Sequence, residues 1–294
     1  WFIGPTDYKI LKTYDENLSG SISFGWGIIG WINRFLFFPL FGLLSGFLPY
    51  GIAIILMTII VRLALSPVTY KSYLSQAKMK VLRPEINALN DKYGNDRAKK
   101  QQETMKLYSK AGANPMAGCV PSLLQLPVFL GLFYFFPVAF SLRGKSFLWA
   151  EDLSSYDAIA QLPFSIPFYG DHVSLFPLLA SIAIFVYSKM TMGQQMQPSQ
   201  PGMPNMKFMI YLMPIMMLFF FNNYASGLSL YYLISNLITI GIMLVIKNYI
   251  IDEEKIFLKI EENKKKPKKQ SRFQRKMEEM MQQAEQQRRS GRRR

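Results

Sequence analysis

The chain has 294 residues, half of them hydrophobic (50%), and a formal net charge of +15; its mean hydropathy is +0.10. One cysteine (Cys119) and one histidine (His172) exclude an internal disulfide, a Cys/His zinc site and any mechanism that needs two imidazoles. Charge is missing from 27 residues between Phe35 and Val61, from 32 between Lys110 and Arg143, and from 39 between Lys207 and Lys247. A bilayer span needs about 20 apolar residues, so the expected class is an all-α polytopic membrane protein.

In chain order, residues 1–20 are polar, contain Gly4-Pro5 and carry no signal-peptide pattern. A sequence that opens Trp1-Phe2-Ile3-Gly4-Pro5 reads as a piece of a longer protein. Residues 21–46 carry Gly25, Trp26, Gly27, Gly30, Trp31 and the aromatic run Phe35 to Phe41. That composition suits an interfacial amphipathic helix lying on the outer surface. A sixth span is the alternative there, but it would bring Arg34 to mid-membrane.

Five spans are predicted at about 47–66, 117–137, 173–191, 208–224 and 228–247. The 39-residue uncharged run must hold two of them, since a single helix would be roughly 58 Å long; Asn222 to Gly227 supplies the turn. Pro121, Pro127 and Pro214 fall inside spans, where lipid-embedded helices tolerate them. The loop 67–116 carries ten Lys and Arg and the tail 247–294 carries sixteen, whereas 138–172 carries two. By the positive-inside rule the first two are cytosolic and 138–172 is external.

The soluble parts read as follows. Loop 67–116 is predicted as a helical hairpin with arms Lys71–Leu89 and Ala98–Lys110. Gly94-Asn95-Asp96 makes the turn, Asp96 is an N-cap, and Pro84 interrupts the first arm. Composition leaves two readings open, a solvated loop or a docking arm for a cytosolic partner. Residues 192–207, rich in Gln, Met and Pro, read as a linker. From Asn263 the tail is a lysine run, a helix-like stretch and Arg292-Arg293-Arg294, a composition that binds anionic lipid or RNA. An RNA partner beside a membrane would most naturally be the ribosome.

Arg62 is the most informative residue. It lies about 20 Å into a ~30 Å core, where a charge costs about 2.5 kcal/mol or more unless it faces protein or water. None of the nineteen acids lies in a predicted span, so no intramembrane carboxylate of this chain pairs with it. Snorkelling towards the headgroups near Ser66 is one account; a hydrated cavity is the other. Thr58 with Arg62, Ser122 with Gln125, and the stripe Ser229, Tyr232, Asn236 and Thr239 each put polar groups on one helix face. Each residue alone is explained by interhelical hydrogen bonding; together with Arg62 they point to a wet groove. Enzyme motifs fail. Gly144-Lys145-Ser146 lacks the first glycine of a phosphate loop, with Ala139 in its place. Gly227-Leu228-Ser229 has no imidazole nearer than the loop residue His172.

Several segments, in order and spacing, closely resemble the YidC/Oxa family of membrane protein insertases. They are Thr58-Ile59-Ile60-Val61-Arg62, Ser66-Pro67, the Lys78-Met79 to Pro84 arm, and Asn114-Pro115-Met116-Ala117-Gly118-Cys119. Further on are Gln125-Leu126-Pro127-Val128-Phe129, Trp149-Ala150-Glu151-Asp152-Leu153-Ser154 and Ser226-Gly227-Leu228-Ser229-Leu230-Tyr231-Tyr232. The resemblance implies a five-helix core, over 47–250 with its hairpin, enclosing a hydrophilic groove open to cytosol and lipid. Arg62 would be its positive centre, Thr58 and Gln125 its lining, and Tyr231 and Tyr232 would flank the substrate helix. Residues 1–20 resemble the end of a periplasmic β-domain, and 251–294 a basic cytosolic tail. The implied function is insertion of nascent membrane proteins, alone or with the Sec translocon, beside the ribosome and phospholipid. No cofactor, small-molecule substrate or catalytic residue is implied.

Overall fold

The computed structural model describes residues 3–14, 18, 20–94, 96–113, 120–195, 206–250 and 252–265. Ten helices and one hairpin are used below: α1 (Tyr8–Tyr14), α2 (Gly27–Leu44), α3 (Tyr50–Val81), α4 (Arg83–Tyr93), α5 (Arg97–Ala111), α6 (Val120–Val138), α7 (Leu175–Gln195), α8 (Met206–Asn222), α9 (Ser226–Val245) and α10 (Glu253–Lys265), with strands β1 (Ala158–Ile166) and β2 (Gly170–Ser174). The chain forms two compact units, residues 1–68 with 121–244, and 69–120 with 245–294.

Among the described residues, α2, α3 and the α9 helix extended to Tyr249 are long and apolar enough to cross a membrane. Helices α6, α7 and α8 carry shorter apolar stretches, Leu123–Val138, Leu175–Thr191 and Tyr211–Asn222. The five nearly equal spans expected from sequence are therefore unequal helices, and α2 has the length of a span although it was expected to lie flat. It is not a regular rod. A π-helical turn covers Asn33–Phe37, where buried Asn33 donates from Nδ2 to Phe24 O at 2.7 Å. One face of α2 buries Phe37, Phe41 and Leu44, while Ile28, Trp31, Phe35 and Leu43 remain exposed on the other.

The core of the first unit gathers Phe37 and Phe41 with Ile54, Met57 and Val61 of α3, Leu132, Phe135 and Phe136 of α6, Phe176 of α7, Phe221 of α8 and Tyr231 of α9. Gly227 permits the close approach of α9: a Cβ there would meet the Phe136 ring at 2.7 Å and Leu153 O at 2.9 Å.

Residues 158–174, expected from sequence to be part of a loop, form an antiparallel hairpin. Its register pairs Ala160 with Val173 and Gln161 with His172. Pro163 hid β1, because proline removes a ladder donor and argues against a strand interior. Asn222, at the end of α8, clamps the hairpin. Its Nδ2 donates to Tyr169 O at 2.8 Å and His172 O at 2.9 Å, and its Oδ1 accepts from Ser174 N at 3.0 Å. Gly170 turns the chain at φ +105°, where a Cβ would lie 2.8 Å from Asn223 Oδ1.

The second unit revises the expected hairpin. Helix α3 runs through Ser66-Pro67 to Val81, so the second half of this 32-residue helix is the first arm. The break comes at Leu82, and Pro84 sits in the first turn of α4 rather than inside an arm, since its missing N–H is harmless there. Asp96 caps α5, accepting from Lys99 N at 3.2 Å, and Gly112 closes it in the left-handed region. Helix α10, which was not anticipated, packs Ile256 and Ile260 with Leu82, Ile86 and Tyr108. The linker expected at 192–207 is helical to Gln195 and again from Met206; positions 196–205 and the basic tail 266–294 lie outside the described residues.

Candidate functional site

Three helices of the first unit supply the site. Arg62 on α3 is half-buried, and its Nε donates to Oγ of Ser235, a fully buried residue on α9. The electrostatic neighbours of the Tyr231 hydroxyl are Arg62, Ser235 and Gln125; those of Tyr232 are Tyr231, Gln125 and Arg62. The helical repeat explains the grouping: Tyr231 and Ser235 are i, i+4 on α9, and Tyr232 is next to Tyr231.

Burial makes this cluster unusual. Tyr231 is fully buried and Tyr232 is 5% exposed, with their rings 5.5 Å apart and nearly perpendicular. Gln125 Nε2, Tyr231 OH, Tyr232 OH and Ser229 Oγ are all buried, and among the described residues none of these atoms has a partner in hydrogen-bonding geometry. A buried polar group left unpaired in a dry interior costs about 1–3 kcal/mol. Three neighbouring groups of that kind lie near a guanidinium, with Ser229 on the same helix, and buried polar atoms so placed call for an explanation.

The other predicted residues are less available. Thr58 is fully buried and its Oγ1 donates to Ile54 O at 2.7 Å. Asn236 Nδ2 donates to Tyr232 O and Thr239 Oγ1 to Ser235 O, both at 2.7 Å. These three direct their donors to their own helix backbone; Ser229 and Tyr232 keep theirs from the expected stripe. The Ser122 side chain lies outside the described residues.

Ser235 was missed. The stripe Ser229, Tyr232, Asn236, Thr239 steps past it, whereas the row Tyr231, Ser235, Thr239, at steps of four, would have found it. Asp157 was missed too. It is buried, and its Oδ2 accepts from Trp149 Nε1 and Phe176 N, both at 2.8 Å, holding the segment between α6 and α7 to the start of α7. Burial raises its carboxyl above the ordinary value, against the opposing effect of these hydrogen bonds. Among the described residues no group of three or more His, Cys, Asp or Glu could hold a metal ion.

Comparison with known proteins identifies the family. The family described as 60Kd inner membrane protein matches residues 20–254. The chain is 48% identical over 287 residues to the membrane protein insertase YidC of Parabacteroides distasonis, covering 91% of this chain and 44% of that protein. It is 45% identical over 269 residues to the YidC of Amoebophilus asiaticus, covering 90% and 44%. The crystal structure of an active YidC insertase with its first transmembrane domain resolved is similar at 30% identity and a TM-score of 0.52, over 85% of this chain and 55% of that one. The chain thus spans less than half the length of the curated relatives it matches. The match runs from before α2 into α10 and takes in Arg62, Gln125, Tyr231 and Ser235: the chain belongs to the 60Kd inner membrane protein family, that of YidC and Oxa.

Proposed function

We propose that this chain is the membrane-embedded working part of an insertase, admitting polar segments of nascent membrane proteins to a groove around Arg62. The observation that carries the reading is the set of buried, unpartnered polar groups on Gln125, Tyr231 and Tyr232 beside a guanidinium. A translocating segment brings backbone and side-chain polar groups that lose their water, at a cost of several kcal/mol each in hydrocarbon. Donors and acceptors waiting at half depth offset part of that loss. The short apolar stretches of α6, α7 and α8 favour a thinned bilayer and a shorter path. The client's apolar segment then leaves sideways into lipid, and that transfer drives the reaction without a nucleotide.

In this reading α3, α6, α7, α8 and α9 are the five spans and α2 is an outer interfacial helix. The hairpin through α4 and α5, with the basic tail, faces the cytosol of an inner membrane. There the tail meets ribosomal RNA or anionic lipid, with or without a Sec translocon nearby. Reconstituting the chain in liposomes with a nascent single-span protein should give a protease-protected fragment of the client. Absence of protection above empty liposomes would reject the function. In a Cys119→Ser background, an impermeant thiol reagent reaching Asp91→Cys from outside would reject the orientation.

A further inference from the structure

The β1–β2 hairpin shows apolar side chains that no core of the protein takes in. Phe168 is 93% exposed, Phe164 60% and Ile159 50%. Phe168 is also held at φ +67°, a region side chains rarely adopt and aromatic ones less still. The hairpin is fixed, not loose. Asn222 and Asn223 both donate to Tyr169 O at 2.8 Å, and β2 ends at Ser174 where α7 begins at Leu175. The Tyr169 ring meets Phe219 of α8 edge-on at 5.3 Å, and Phe219 and Phe220 are themselves exposed. Exposed apolar side chains therefore stand on α8 and at the tip of the hairpin, with the buried Tyr169 ring packed between strand and helix.

We propose that this tip, Phe164 and Phe168, is seated in the outer leaflet as a membrane anchor, its ligand being lipid acyl chains at headgroup depth. The proposal rests on the reading that α7 and α8 cross the membrane. Apolar contact, not charge, holds the tip: no Lys or Arg occurs between Lys145 and Lys189, so nothing there pairs with phosphate. Aromatic rings at a membrane–water boundary bury a large apolar face at that depth. Strand addition by another protein fits less well, because Pro163 takes an N–H from β1. Anchoring the hairpin also fixes the outer ends of α7 and α8 through Asn222, beneath the thinned region the insertase reading requires.

The test uses the full chain with Cys119→Ser, reconstituted in vesicles of phosphatidylethanolamine and phosphatidylglycerol. A nitroxide is attached singly at Phe164→Cys, Phe168→Cys, Glu151→Cys or Ile182→Cys, the last two marking water and the lipid face of α7. Collision with oxygen relative to a water-soluble nickel chelate should be several-fold higher at 164 and 168 than at 151, approaching 182. If 182 reports lipid while 164 and 168 match 151, the tip is in water and the proposal is wrong. Low collision with both reagents at 164 and 168 would mean a protein covers the tip, which also overturns it. Free collision of 182 with nickel would instead overturn the span reading beneath it.

Discussion

Arg62 on α3 and Ser235 on α9, 173 residues apart, are joined by a hydrogen bond from Nε to Oγ. The bond uses the one guanidinium donor that lies along the side chain, and the charge is felt at the hydroxyls of Tyr231 and Tyr232. It therefore sets the direction of the charge as well as its place. Ser235→Ala should lower stability by about 1 kcal/mol and reduce insertion less than Arg62→Ala does. Arg62→Lys has no equivalent of Nε, so adding Ser235→Ala to it should cost little more. Additive losses in that double-mutant cycle, read by thermal unfolding, would mean the bond is not formed in the membrane.

Tyr231→Phe separates a dry core from a wet groove. In a dry core, removing an unpartnered hydroxyl is neutral or stabilising, and no function changes. In a groove that hydrates polar segments, the same variant keeps or gains thermal stability while inserting clients with polar translocated tails more slowly. Unchanged insertion for such clients would remove Tyr231 from the site.

Uncharged runs and Lys/Arg bias carried the class and the helices of the first unit, because in lipid each helix must satisfy its own backbone and length alone betrays it. Arg62 stood out for the same reason: a charge bordering such a run must snorkel or face protein or water. What escaped was decided by tertiary contact. The hairpin is recognisable only with Asn222 beside it, and α10 only with Leu82 and Ile86 to cover Ile260. Ser235 looked like any helical serine until Arg62 pointed at it. Gln125, Tyr231 and Tyr232 were named from sequence, the tyrosines through family resemblance, and the structure places them near one another, yet no periodicity could say how their polar atoms are paired.

Asp157 should make the segment between α6 and α7 sensitive to pH. Burial raises its carboxyl above the ordinary 3.8. From that value upward the folded chain still holds a proton that the unfolded chain has released, so stability falls as pH rises through the window. Asp157→Asn keeps an acceptor for Trp149 and Phe176 and removes the charge. It should match or exceed the parent's melting temperature at pH 7 and flatten the gain Asp157 gives the parent as pH falls towards the ordinary carboxyl value of 3.8. Asp157→Ala should lose about 1–3 kcal/mol by stranding the two donors. A parent and Asp157→Asn with the same pH slope would refute this account.

In the second unit, packing should outweigh charge. Lys264 bonds Glu85 at 2.7 Å and Glu261 at 3.4 Å, but these groups are partly exposed and such pairs contribute about 0–1 kcal/mol. Ile260 is 1% exposed among Leu82, Ile86 and Tyr108, and truncating a buried Ile costs about 2–5 kcal/mol. Hydrogen exchange in α10 should rise strongly in Ile260→Ala and hardly in Lys264→Ala. The reverse order would make the ion pair the anchor.

The charge of Arg62 is the last and most direct test of the insertase reading. Among the described residues its hydrogen bond goes to a neutral serine, and the insertase reading has its charge act on a client segment in a setting less polar than bulk water. Arg62→Lys keeps the charge and loses the Ser235 bond, and should retain much of the insertion activity. Arg62→Ala should impair insertion, and Arg62→Glu should impair it most for clients whose translocated tails carry acids. Snorkelling to the headgroups predicts another pattern, in which all three variants insert alike and differ modestly in stability. Two clients, one with an acidic tail and one with that tail neutralised, separate the accounts by protease protection in liposomes. If Arg62→Glu slows both equally, Arg62 hydrates the groove without capturing charge; if it slows neither, the groove is not where the client passes.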